Sequence, residues 1–473
     1  MSTQKRKILH LYNRAAFGIT PEAFAKVERS PEKEAEALMK RATGLSPIKV
    51  LEESPFAKYQ DQMGMRGERG AMRQMIQKEV RESRTRIRDM NLTWMNQMLD
   101  PQLMVREKLS LFWHDHFGVR NLVGYYAQVH NNTLRKHALG KYQDLLMAVT
   151  KDPAMLQFLN NQQNVKRKPN ENYARELLEL FTLGRGHYTE KDIKEAARAF
   201  TGWGFDPVSS KFHFRWLRHD SDNKEFMGVK GDLNGDDIIN TLLEQKQTAR
   251  FLATKLFRYY VSDVPDEALI EKMANRLLQT EYHIGDLLEF IFTSDWFYES
   301  RFMHNKIKSP IELINHLRLH FGLAFNQPMA WLYLERVLGQ VLFYPPSVNG
   351  WPEGREWIDS SSLINRMRLP AVLAEGRELG ISPKDDGDNN NPVKERGSRL
   401  LRSATVDWQA FMALAEEGDQ TELLDNYAAL LLNQPVTGET RKAMLSELRK
   451  KSNTEGPKWL ALALAGLPEY QLS

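Results

Sequence analysis

"KPNENYARELLELFTLGRGHYTEKD", residues 168–192, decides how the chain is to be read. Pro169 is followed by Asn170, whose short side chain suits a helix N-cap, and thirteen residues free of Gly and Pro then run to Gly184. This pattern predicts a helix from about Glu171 to Leu183. At about 100° per residue, Tyr173, Ala174, Leu177, Leu178, Leu180, Phe181 and Leu183 fall on one broad apolar arc, with Glu171, Arg175, Glu179 and Thr182 opposite. Glu176 lies at the edge of that arc between Leu183 and Leu180, with Asn172 one turn before it. A carboxylate placed there needs a partner or a raised pKa. Glu176 is therefore a candidate general acid or base, and equally a candidate strut for an arginine on a neighbouring helix.

The same three- and four-residue spacing recurs in stretches such as "EKMANRLLQ" and "ELINHLRLHFG", while two-residue alternation is rare. The fold class expected is all-α, with a small β-hairpin insert. The insert is read from "KFHFRWLRHDSDNKEFMG", where Phe212, Phe214 and Trp216 alternate with His213, Arg215 and Leu217 before a polar turn. "GISPKDDGDNNNPVKERGS" is polar, rich in Asn, Asp, Gly and Pro, and has no apolar period. The organisation predicted is a main helical domain over 1–380, with a basic helical segment at 63–90 and the β insert near 211–230. A linker at 381–398 and a C-terminal helical region at 399–473 follow. No repeat of solenoid length is present.

With 473 residues and 42% hydrophobic content the chain can fill a large core, which excludes a disordered protein. Its net charge is 65 − 61 = +4, so no global field draws it to nucleic acid or to a membrane, and neither is expected as a partner. Residues 63–90 hold eight Lys or Arg against four Asp or Glu, a local +4. That is either a contact for an acidic polymer or the solvated face of a helix whose stripe is Met72, Met75, Ile76, Val80 and Ile87. The absence of cysteine removes disulfides, thiolate chemistry and Cys-ligated zinc. The basic start "MSTQKRKILHLYNRAAFG" lacks the apolar run of a secretory signal, and no stretch is long and apolar enough to span a bilayer, so a cytoplasmic location is expected.

Further candidate groups lie in other motifs. In "MVREKLSLFWHDHFG" residues two apart on a helix point about 200° apart, so His116 is placed on the apolar arc and His114 on the opposite side with Glu107. His116 reads as a hydrogen-bonded core residue or as a proton shuttle beside a buried glutamate. Thr189 and Asp192 have capping-box spacing. The polar turn "RHDSDNK" offers His219, Asp220, Asp222 and Lys224 without regular structure. "DLNGDD" begins like a calcium loop but carries Asp237 where Gly is required and Leu243 where Glu is required, so calcium is rejected. "KSPIE" is a strong helix start, with Ser309 as cap, Pro310 next and Glu312 third. "YPPSVNGWPEGREW" is a rigid loop that either plugs a core or walls a pocket, with Asn349 and Trp351 near its middle.

Taken together, "NRAAFG", "FWHDHF", "NENYARELLELFTLG", "AARAFTGWGF", "HDSDNK", "KSPIE" and "NGWPEGREW" resemble the bacterial family called domain of unknown function 1800. These motifs run from Asn13 to about Arg366. The resemblance implies a largely helical fold and no established activity. Many members of that family carry export signals, which leaves export open beside the cytoplasmic reading.

Three functions compete at this point. An acid–base hydrolase, acting on a polar substrate such as a glycan, would use Glu176, His116 and Asp220, with Arg175, Asn172, His219, Lys224 and Trp351 holding a polar or anionic ligand. It calls for no cofactor and no metal. A non-catalytic helical scaffold would use the same polar motifs as interhelical struts. A metal-dependent enzyme would gather His116, His219, Glu176 and Asp220, which their ligand types permit and their spacing does not demand. Convergence of Glu176, His116 and Asp220 separates the first reading from the second.

Overall fold

A computed structural model describes residues 2–57, 69–377, 379, 399–415 and 419–473. It is 62% helical, and the described strands form three two-stranded antiparallel sheets, so the fold is mainly helical with small β-hairpin elements. Several helix starts follow from purely local chemistry. Ser309 and Glu312 exchange backbone-to-side-chain hydrogen bonds around Pro310 at the start of Pro310–Phe321, and Thr189 and Asp192 do the same for Glu190–Ala199. Asn234 and Asp237 form a third such box, so "DLNGDD" opens the helix Gly235–Glu244.

The quoted stretch is helical, but not in one form. Asn172–Glu176 is α-helical and Leu177–Thr182 widens into a π-helix, ending before Gly184 at φ 81°. Asn170 caps it from one residue farther out, its Oδ1 accepting from Asn172 N at 3.0 Å. The widened turn is held by side chains: Thr182 Oγ1 donates to Leu177 O at 2.7 Å, and Tyr142 Oη donates to Phe181 O at 2.6 Å. A π segment rotates its side chains away from the 100° wheel. Leu180 is accordingly only half-buried and Thr182 buried, the reverse of their predicted sides.

Met104–His116 corrects the wheel in a different way. Every residue from Met104 to His114 is buried, and so is His116. A helix enclosed on all sides has no solvent face, so the predicted outward side carrying His114 and Glu107 lies inside as well. Glu107 meets Arg135 of Gly124–His137 in a fully buried ion pair with 2.7 Å contacts, and Trp94 Nε1 donates to the same carboxylate.

The β insert contains two hairpins rather than one. Trp203–Phe205 pairs with Phe212–Phe214, and Lys224–Phe226 with Val229–Gly231. Trp216 lies beyond the strand, in the one-turn helix Trp216–Arg218. Arg69–Gln97 takes up the basic segment from Arg69 onward; Ile87 is buried and Val80 half-buried, while residues 63–68 and the side chains of Met72, Met75 and Ile76 lie outside the described residues. Part of its charge is answered internally, Arg86 pairing with Glu79 and Glu82.

Residues 381–398, read as a linker, also lie outside the described residues. The C-terminal region beyond them is stitched to the main body: Ala324–Phe325 pairs with Ala404–Thr405, Lys308 N donates to Gln471 O at 2.8 Å, and Ser473 N donates to Lys306 O at 2.9 Å. Among the described residues no helix is long and apolar enough to cross a membrane.

Candidate active site

The last turn of Met104–His116 presents three consecutive polar side chains in three directions. His114 Nε2 accepts from Phe343 N at 3.0 Å, and its ring packs 5.3 Å from that of Trp351. Burial holds its pKa down to about 3, so this imidazole is neutral. His116 Nε2 lies 3.1 Å from Tyr142 Oη and its Nδ1 3.3 Å from Lys255 Nζ. Because Tyr142 gives its one proton to Phe181 O, His116 must donate through Nε2 and accept through Nδ1 from Lys255. Burial and then the Lys255 charge keep His116 well below its ordinary pKa.

Asp115 points between them, under the loop that carries "NGWPEGREW". Its Oδ1 accepts from Trp351 N at 2.7 Å. Burial and the neighbouring Glu353 push its carboxyl up to about 7, against the opposing pull of the Trp351 N–H and Lys255. Lys255, on Lys246–Tyr260, is lowered by burial while Glu353 and Asp115 hold it up. A carboxyl raised and an ammonium lowered at one place are the conditions for proton transfer near neutral pH.

Two glycines allow this approach. Gly350 has φ 78°, and a Cβ on it would overlap the Asp115 carboxylate; a Cβ on Gly118 would come within 2.7–2.9 Å of backbone atoms of Ser347, Val348 and Gly350. Gly350→Ala is expected to lose about 1–3 kcal/mol of stability, because the obstacle includes the Asp115 carbonyl as well as a side chain. Chaotrope unfolding of the variant checks this, and a change within about 0.5 kcal/mol would show that the loop yields freely.

Lys255, Arg258, Asp263, Trp351, Glu353 and Arg355 line a cleft of roughly 410 Å³. A narrower recess continues from it to Asp115, Lys306, Ser309 and Glu312, sharing Arg258, Asp263, Glu353 and Gly354. Behind the recess, Lys108 pairs with Glu312, and Lys306 donates to Asp263 at 2.6 Å. Burial alone would raise Glu312, but Lys108 and the Ser309 N–H bring it down to about 2. Lys308, buried with only the Tyr470 carbonyl among the described residues within hydrogen-bond reach of its Nζ, is lowered by burial to about 7. Arg14 Nη2 anchors to Phe302 O and Asn305 Oδ1. Motifs read separately along the chain, "NRAAFG", "FWHDHF", "KSPIE" and "NGWPEGREW", thus meet around one recess. A broader groove of 690 Å³ elsewhere includes Arg106, Lys136 and His283, but the Arg106 guanidinium is spent on the carbonyls of Ala42, Thr43, Arg135 and Lys136.

Of the residues given catalytic or ligand-holding roles from sequence, His116 and Trp351 belong to this neighbourhood and the others do not. Glu176 is half-buried and makes no hydrogen bond or ion pair among the described residues; burial and Glu179 raise its carboxyl, while Arg175 and Arg185 oppose the rise. His116 reaches the signature helix through the Phe181 carbonyl and ring, not through Glu176. Arg175 is tied to Glu190 and Glu171 at the surface, and the exposed Asn172 donates to Leu159 O. Asp220 is held by both arms of Arg198, at 2.8 and 3.2 Å. His219 Nδ1 lies 2.9 Å from Thr201 O, and Lys224 donates to Asp222 O and Asp232 Oδ1. These three form a second polar cluster on the β insert, and no hydrogen bond, ion pair or ring contact among the described residues joins it or Glu176 to His116. The four-residue metal set accordingly does not assemble, and no three His, Asp or Glu among the described residues are arranged to hold a metal ion.

Asp115, Lys255 and Glu353 escaped the sequence reading, and Glu312 was legible only as the helix cap that it also is. The signal was present in "RFLATKLFRYY", where Lys255 interrupts an apolar helix, and in "FWHDHF", where an aspartate stands between the two histidines. No curated protein and no solved structure matches the chain. The model of the family described as protein of unknown function (DUF1800) matches residues 10–472, and the chain belongs to that family.

Proposed function

We propose that the chain is an acid–base hydrolase whose cleft admits a polar, hydroxyl-rich substrate such as a glycan, with Asp115 in place of Glu176 as the working carboxyl. The observation that carries this reading is a carboxyl near neutrality, fixed by Trp351 N–H, in a narrow recess of roughly 50 Å³ that adjoins the cleft lined by Lys255. Protonated Asp115 gives its proton to a leaving oxygen, and the exposed Glu353 carboxylate is the group placed to draw a proton from water. Lys255, in contact with His116 and through it with Tyr142 and the π segment, opposes the larger effect of Glu353 on Asp115. The signature helix acts in this reading as a positioning element.

The test is a screen of neutral glycans, acidic glycans and phosphate esters, with Asp115→Asn and Glu176→Gln run beside the wild type. Turnover that Asp115→Asn abolishes and Glu176→Gln retains supports the assignment. Turnover lost only in Glu176→Gln returns the site to the signature helix. A scaffold, favoured by the buried Lys108–Glu312 and Arg135–Glu107 struts, would turn over nothing.

A further inference from the structure

Two basic segments lie side by side at one edge of the β insert. "VKRKP", residues 165–169, closes a tight turn through a bridge between Val165 and Lys168, and Lys166 N donates to Arg218 O at 2.9 Å at the end of "KFHFRWLR", residues 211–218. Together they contain six Lys or Arg and no carboxylate. Arg215 turns inward, its guanidinium on the carbonyls of Gln162, Gly202 and Trp203. The other five, Lys166, Arg167, Lys168, Lys211 and Arg218, are exposed, and their side chains make no hydrogen bond or ion pair among the described residues.

Three large apolar side chains stand among these cations. Trp216 is 71% exposed, Leu217 66% and Phe214 45%. Their exposure is built rather than incidental. The inward Arg215 anchors the strand end, Arg218 N donates to Arg215 O at 2.8 Å, and His219 N donates to Trp216 O at 3.1 Å, so a closed turn displays Trp216 and Leu217 at its tip. Exposed apolar surface of this kind gains free energy only when something covers it.

We propose that this tip is a peripheral docking surface for an anionic lipid bilayer. Unpaired cations without carboxylates complement a negatively charged headgroup layer, and a tryptophan beside an aliphatic residue suits the boundary between headgroups and acyl chains. Leu217 decides against single-stranded nucleic acid, where aromatic faces stack on bases and an exposed leucine adds nothing. The chain's near-balanced total charge hides this local excess, and no described helix crosses a membrane, so the contact is one that salt can reverse. The surface shares no residue with the cleft of the proposed hydrolase, so either assignment can fail without the other.

Co-sedimentation of the full chain with vesicles of phosphatidylcholine alone, and of phosphatidylcholine mixed with phosphatidylglycerol, tests it. Partitioning is expected to be at least about tenfold stronger on the anionic vesicles and to collapse at high salt. The double variant Trp216→Ser, Leu217→Ser and the triple variant Lys166→Ala, Arg167→Ala, Lys168→Ala should each lower it about tenfold, with unfolding temperature unchanged because all five side chains are exposed. Equal partitioning on neutral and anionic vesicles, no partitioning, or wild-type partitioning in both variants overturns the proposal. So does Trp216-dependent binding of a single-stranded oligonucleotide without vesicle binding. Should a variant misfold, the salt and lipid dependence of the wild type decides alone.

Discussion

Arg135→Met is expected to lower folding stability by about 3–5 kcal/mol, the usual cost of stranding one member of a buried ion pair. The Arg135 and Glu107 side chains are both 0% exposed, and the guanidinium grips the carboxylate at two points of 2.7 Å while also reaching Gln97 Oε1 at 2.5 Å. Methionine keeps most of the packing volume but leaves Glu107, among the described residues, with Trp94 Nε1 as its remaining hydrogen-bond donor. The carboxylate must then ionise without a cation or take up a proton, and both are costly at neutral pH. Adding Glu107→Leu should recover a large part of the loss, because a buried pair replaced whole by apolar groups removes both desolvation penalties. Chaotrope unfolding of the wild type, the two single variants and the double variant supplies the cycle. A loss under about 1 kcal/mol for Arg135→Met would show that water reaches Glu107.

Glu107 also marks where sequence reading stops. A helical wheel assumes one wet face, and on that assumption Glu107 and His114 belong outside. Met104–His116 has no wet face, so the wheel separates its residues by direction but misplaces Glu107 and His114. Capping boxes at Thr189 and Ser309 were legible because their partners lie three residues apart. The π turn was not, because its geometry depends on the hydroxyl of Tyr142, which arrives from another helix. Helical periodicity along the chain was enough for the fold class. The recess needed Asp115 to meet Trp351, and Lys255 to meet His116, across separations that no local pattern measures. The residue types were visible in the motifs, whereas their juxtaposition was not. Glu176 at the edge of the apolar arc is half-buried with a raised carboxyl, as the wheel implies, but the helix leaves the 100° period immediately after it and no partner faces it among the described residues.

Asp115→Asn is expected to reduce turnover by a factor of roughly 10² to 10⁴ on any substrate the screen identifies, the range for losing a general acid. Asparagine keeps the acceptor for Trp351 N–H and the fit against Gly350, so the loop should stay in place. Stability supplies an independent readout. The folded carboxyl sits at about 7, above its unfolded value of 3.8. Well below pH 3.8 both states hold the proton and Asp115 costs nothing. As pH rises toward 7 the unfolded chain ionises while the folded one still binds the proton, so stability falls; above 7 both are ionised and the loss levels off. Asparagine does not titrate, so the variant should gain stability relative to wild type as pH goes from 5 to 8, even as its activity is lost. A residue that served only as a strut would show the opposite pairing, with little effect on any turnover and a less stable variant at every pH. Thermal unfolding across that pH range, set beside kcat at each pH, separates the two outcomes. An activity profile that falls as pH rises through about 7 in the wild type, and is flat in what remains of Asp115→Asn, would tie the proton seen in the stability data to the one transferred in the reaction.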